Sequence, residues 1–205
     1  MQMRREIILA GKKHPKYVKC AKNNWYKDKD HFKKDNTEKS GSIEEPDAWW
    51  LYEYVYSHKE IENVFEIGTW FGTSAAIMAT ALVDSGRHGK VYTCCLDPVY
   101  LGNKLPNVDR IEYNNRDATG MMKKLIRKGV CSQFAFIDGR LEIQDVKLLY
   151  RMMSGDTFAV AVHDSAKKDK GGKDIDKMLG FMPGFSEVHM VRHVTAPMGL
   201  IEIRR

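Results

Sequence analysis

From residue 63 onward, short apolar runs alternate with segments whose apolar positions recur every three or four residues. "NVFEIG", "KVYTCCLD", "RIEYNN", "SQFAFID" and "DTFAVAVHD" read as strands, most of them nearly continuous in apolar residues, as in a sheet covered on both faces. The intervening segments, residues 73–83, "DATGMMKKLIRKG", "LEIQDVKLLYRMM" and "GKDIDKMLGFM", carry the helical period. Strictly alternating strands and helices predict an α/β protein with a doubly wound, mostly parallel seven-stranded sheet. "FSEVHMVRH" and "PMGLIEIRR" close the chain with only the short "VTAP" connection between them. A parallel crossover needs a dozen or more residues, so these two strands form a C-terminal antiparallel hairpin. Upstream, "SIEEPDAWWLYEYVYSHKE" reads as a helix with Ser42 at the cap, Glu45 at capping-box spacing and Pro46 in the first turn. One face of it is crowded with Trp49, Trp50, Tyr52, Tyr54 and Tyr56, and exposed aromatics there could form a homo-oligomer contact.

Length and charge add a boundary to this pattern. The 205 residues suit one compact domain, and no apolar run approaches the roughly 20 residues that cross a bilayer. The N-terminal "MQMRREIILAGKK" has too short an apolar stretch for a secretory signal, so no membrane association and a cytoplasmic location are expected. Residues 1–42 hold 12 Lys or Arg against 5 Asp or Glu, whereas the rest of the chain holds 21 against 22. All the excess positive charge therefore belongs to an N-terminal arm, residues 1–42, preceding a domain of residues 43–205. Its interleaved Tyr17, Trp25, Tyr26 and Phe32 leave two readings open: a nucleic-acid-binding arm, or a solvated cap packed on the domain. Cys20, Cys94, Cys95 and Cys131 contain no CxxC pair, and the last three lie in or beside apolar runs, as reduced structural thiols do.

The chemistry concentrates where strands end. In "VFEIGTWFGTSAAIM" a strand runs into Gly68, a second glycine follows at 72, and Thr73 and Ser74 open a helix. Free N–H groups at such a helix start face whatever anionic group arrives. A phosphate P-loop would need a lysine after Gly72, and a dinucleotide fingerprint would need glycine where Trp70 stands. What remains is E-x-G-x-x-x-G, with Glu66, Gly68 and Gly72. Asp97, Asp117, Asp138 and the pair His163–Asp164 end the successive strands, so polar groups gather on one rim.

In these motifs the sequence resembles class I S-adenosylmethionine-dependent methyltransferases, most of all the small-molecule O-methyltransferase branch with an "FIDG…HD" pattern. That branch includes catechol-type and antibiotic-sugar enzymes. The resemblance runs in order through "FEIGTWFGTSA", "LDP", "RDA", "FAFIDG", "VHDS" and "GLIEIRR", leaving the arm outside it. It implies a Rossmann-like sheet and S-adenosylmethionine as cofactor. The methionine part would be held around Glu66, Gly68, Thr69, Gly72, Thr73 and Ser74, the ribose by Asp97, and the adenine near Asp117, with Asp138 also beside the cofactor. Asp138, His163 and Asp164 fall where metal-dependent relatives bind a divalent ion, which implies a Mg2+ site.

Two departures keep alternatives open. Arg140 and Leu141 follow Gly139 where many relatives place an acid and a histidine, and His163 stands in place of a carboxylate. Imidazole is a poor magnesium ligand, so either His163 is a general base, with Asp138 beside it as a catalytic residue, or the site holds no metal. The expected activity is methyl transfer to a hydroxyl of a small molecule. An RNA methyltransferase using the arm, with Asp138 and Glu187 at strand ends, and a non-catalytic binding protein on the same fold are the alternatives. The loop "HDSAKKDKGGKD" reads as a lid over the acceptor.

Overall fold

A computed structural model describes residues 5–7, 43, 45–70, 72–96, 105, 107–153, 157–181, 185–191 and 198–204. Its strands are β1 (Arg5–Ile7), β2 (Val64–Ile67), β3 (Val91–Cys94), β4 (Ile111–Asn114), β5 (Phe134–Ile137), β6 (Thr157–Val162), β7 (Phe185–Val191) and β8 (Met198–Arg204). Its helices are α1 (Glu45–Ser57), α2 (Thr73–Asp84), α3 (Ala118–Arg127), α4 (Ile143–Met152) and α5 (Gly171–Phe181). The strands form one sheet in the order β1-β7-β8-β6-β5-β2-β3-β4, parallel except where β8 runs antiparallel to β6 and β7. The predicted architecture and closing hairpin are present.

The strand count differs from expectation: the sheet has eight strands, because Arg5–Ile7 pairs in parallel with β7. Three residues are too few to carry a period, and their apolar neighbours sit beside a basic cluster. Without β1, β7 would leave one row of N–H and C=O groups open at the sheet edge. The arm therefore contributes to the sheet, and residues 8–42, including Ser42 and Cys20, lie outside the described residues.

Alternation along the strands divides the core in two. Val64, Phe134, Phe136, Ala159, Ala161 and Leu200 face α1 and α2, and Phe65, Ile67, Ala135, Ile137, Val160 and Val162 face the opposite cluster with Met121, Leu149 and Met178. Trp50, Tyr52 and Tyr54 of α1 are buried, with Trp50 stacked on Tyr54 at 5.0 Å and Tyr54 tilted against Phe134 at 5.0 Å. These three rings therefore pack inside the chain, while Trp49 and Tyr56 of the same helix stay half-buried. Arg87 closes the C-terminal end of α1: its guanidinium donates to the carbonyls of Val55, His58 and Ile61, and to Ser85 Oγ. Val55 lies in the last turn of α1 and His58 and Ile61 just beyond it, where a fixed cationic fork suits carbonyls that the helix no longer pairs. Cys94 is buried, Cys95 half-buried and Cys131 exposed, so the thiols are free but only the first is a core residue.

Candidate functional site

The direction of winding reverses between β2 and β5, which is where open α/β sheets bind ligands. Register fixes what meets there. Ile67 pairs with Ile137 and Ile137 with Val162, so the next residues, Gly68, Asp138 and His163, lie side by side at the strand ends. The Asp138 amide donates to the Ile67 carbonyl and the His163 amide to the Ile137 carbonyl, each at 2.9 Å.

Gly68 has φ 104°, which L side chains rarely adopt, and a Cβ there would lie 2.9 Å from the Asp138 carbonyl carbon. Gly72, at φ 76°, is the N-cap of α2 and offers no capping side chain. Between them Trp70 is exposed and held at φ 44°. The first turn of α2 carries no acid, and the buried Thr73 Oγ1 has no hydrogen-bond partner among the described residues. A long apolar helix thus ends in free N–H groups and an orphaned hydroxyl, which suits an arriving carboxylate. The methionine part of S-adenosylmethionine carries that group, so these residues fit the cofactor.

Below the turn lies a buried polar chain. Glu66, which pairs with Thr93 in register, points to the α2 side of the sheet. Its carboxyl accepts from Ser74 Oγ and, at 2.5 Å, from Thr93 Oγ1, which contacts Thr69 Oγ1 at 2.7 Å. Burial pushes the Glu66 carboxyl up to about 7; the Ser74 and Thr93 hydroxyls oppose that rise and the Asp138 charge adds to it. The network ties the helix start to two strands and so fixes the cradle's shape.

The rim holds a second cluster. His163 Nδ1 lies 3.0 Å from Asp138 Oδ1, and Nε2 lies 3.5 Å from Asp47 Oδ2 of α1. Strand alternation explains the meeting: Phe134, Phe136 and Asp138, like Ala159, Ala161 and His163, fall on the α1 face. Burial pulls the His163 pKa down, but hydrogen bonds to and charges on Asp138 and Asp47 outweigh it and set it at about 9. The ring is therefore a cation at neutral pH and donates on both sides, without a lone pair to receive a proton. The general-base role expected for His163 does not suit this state.

The remaining predicted residues separate from that cluster. Asp164 follows His163 with φ 53° and is held by Lys167 at 2.8 Å and Lys170 at 3.2 Å. Burial raises its pKa, but the two lysines and His163 outweigh this and lower it. A divalent metal such as Mg2+ fits this donor set poorly: imidazole is a poor ligand for a hard cation, and Asp164 is already paired with two lysines. Among the described residues no three His, Cys, Asp or Glu side chains converge as metal ligands. The same lysines tie the "HDSAKKDKGGKD" segment to Asp164, and it enters α5 at Gly171. Asp117 is the N-cap of α3, accepting from the Gly120 amide at 2.6 Å. Asp97, expected at the ribose, lies outside the described residues. Asp47 was not singled out from sequence, where an acid beside Pro46 is indistinguishable from an exposed first-turn residue.

The chain shares its fold with solved structures. An O-methyltransferase from Bacillus cereus, in complex with S-adenosylhomocysteine, aligns at TM-score 0.62 and 14% identity over 97% of this chain and 94% of that one. The O-methyltransferase TomG from Streptomyces achromogenes, involved in tomaymycin synthesis and solved with S-adenosylmethionine, aligns at 0.59 and 15% over 96% and 92%. The S-adenosylhomocysteine-bound methyltransferase PaMTH1 from Podospora anserina aligns at 0.58 and 15% over 93% and 88%. No protein-family model and no curated protein matches the sequence. At such identities the fold is what is shared: a Rossmann-like α/β sheet found in methyltransferases.

Proposed function

We propose that this protein is an S-adenosylmethionine-dependent methyltransferase acting on a hydroxyl group of a small molecule. The observation that carries the reading is the glycine turn at the switch point, where Gly68, Gly72 and the Thr73 hydroxyl, without a hydrogen-bond partner among the described residues, adjoin the buried Glu66 network. Gly68, Thr69, Gly72, Thr73 and Ser74 would hold the methionine part, and the bound cofactor supplies an electrophilic methyl group. Methyl transfer asks the protein chiefly for alignment and for a group to take the hydroxyl proton. Asp138 is suited to that role: its side chain is 26% exposed at the rim, and His163 anchors one oxygen. No step is assigned to a metal, because the donor set does not suit one.

The test is incubation with methyl-labelled S-adenosylmethionine and a panel of phenolic and sugar acceptors, followed by mass spectrometry. A new methyl ether on any acceptor supports the reading. Cofactor binding without label on any hydroxyl would favour the non-catalytic alternative, and label entering RNA would move the acceptor to nucleic acid.

A further inference from the structure

Asp47 stands in the first turn of α1 with its side chain 1% exposed, and it meets a histidine 116 residues away in the chain. A carboxylate so deeply buried requires a compensating cation or donor. His163 provides one, and its own environment is restrictive. The ring has Asp138 at one nitrogen and Asp47 at the other, and it sits edge-on to Phe136 with centroids 6.1 Å apart at 72°. An imidazole held at one nitrogen keeps a broad torsional well about its terminal bond. A second acceptor on the opposite side removes that freedom and makes both nitrogens donors. Of the three charged side chains, Asp138 is the most open to solvent, His163 is 10% exposed and Asp47 is sealed.

We propose that Asp47 is a positioning residue for methyl transfer, setting the direction of the Asp138 carboxylate through the doubly donating His163 ring. This rests on the reading of Asp138 as the group that meets the acceptor hydroxyl. Asp47 itself touches neither acceptor nor cofactor; its action passes from α1 across the ring to the end of β5. The same bridge couples the seating of α1 on the sheet to the geometry of the rim. Hydroxyl substrates that must give up a proton to Asp138 therefore depend on an acid more than 90 residues earlier in the chain.

Long-range proton–nitrogen NMR spectra of the full-length protein, with His163 assigned through H163Q, test this without an acceptor. The wild type is expected to show two protected ring N–H signals for His163. In D47A, which removes the acceptor, the protected Nε2–H signal is lost and the Asp138 carboxyl carbon shifts, and D47E restores both. A D47A protein that melts like the wild type yet leaves the His163 and Asp138 signals unchanged overturns the proposal. Should D47A fail to fold, absence of a protected Nε2–H in the wild type overturns it equally. Titration with S-adenosylhomocysteine separates the two levels: D47A is expected to bind it as the wild type does. A wild type that binds none removes the methyltransferase reading, while the NMR spectra still judge the bridge.

Discussion

Replacing Glu66 by glutamine changes the protein by one ionisable group, at a position with no exposure to water. Burial lifts that carboxyl to about 7 from an unfolded value of 4.5, with the Ser74 and Thr93 hydroxyls opposing the rise. Between those two values the native protein keeps a proton that the unfolded chain has lost. The stabilisation linked to this group is therefore fully present below pH 4.5 and is lost as pH rises through 7. The gap of about 2.5 in pKa, at about 1.4 kcal/mol for each, amounts to about 3 kcal/mol. Glutamine is neutral throughout, and its amide can accept from Ser74 while donating to Thr93. E66Q should gain about 3 kcal/mol on the wild type between pH 4.5 and pH 8.5. His163, raised to about 9, loses its stabilisation in the same direction at higher pH, but it is common to both proteins and cancels. Urea unfolding followed by tryptophan fluorescence at pH 4.5, 6.5 and 8.5 measures the difference. A difference that stays flat with pH, or an E66Q protein that loses ground at pH 8.5, would refute the buried-acid argument.

Three further outcomes follow from particular contacts. R87M removes a donor shared by three carbonyls at and just beyond the end of α1 and should cost about 3 kcal/mol in urea unfolding, with R87K recovering only part because it lacks the fork; a loss below about 1 kcal/mol contradicts the clamp. T73V replaces a buried hydroxyl that has no partner among the described residues, so apo stability should hold or rise by about 1 kcal/mol while S-adenosylhomocysteine affinity falls about 5- to 10-fold. Loss of stability with unchanged affinity would show that the hydroxyl serves the fold and not the ligand. G68A forces a side chain into positive φ and against the Asp138 backbone, which should cost about 2 kcal/mol and weaken cofactor binding at least tenfold by calorimetry.

The sheet was legible because its signal is local: each strand and helix carries its own period, and short connections fix handedness and direction. The E-x-G-x-x-x-G turn was legible for the same reason, since Gly68 and Gly72 mark a backbone path that side chains resist. Pairing between distant elements was not. Nothing in "EEPDAWW" distinguishes a buried Asp47 from a solvated one, and its partner lies beyond five intervening strands. His163 and Asp164 are neighbours in sequence and looked like joint ligands. The alternation of β6 turns His163 to the α1 face, and the left-handed Asp164 pairs with Lys167 and Lys170 instead. The aromatic helix carried no local sign of which rings are covered: Trp50, Tyr52 and Tyr54 are buried, whereas Trp49 and Tyr56 are half-buried.

The decisive experiment is calorimetric titration of the purified protein with S-adenosylhomocysteine, with and without magnesium. One site of micromolar affinity, about −8 kcal/mol, unchanged by magnesium, is expected. No heat of binding in either condition would contradict the cradle, and affinity that depends on magnesium would contradict the exclusion of a metal from the Asp138–His163–Asp164 rim.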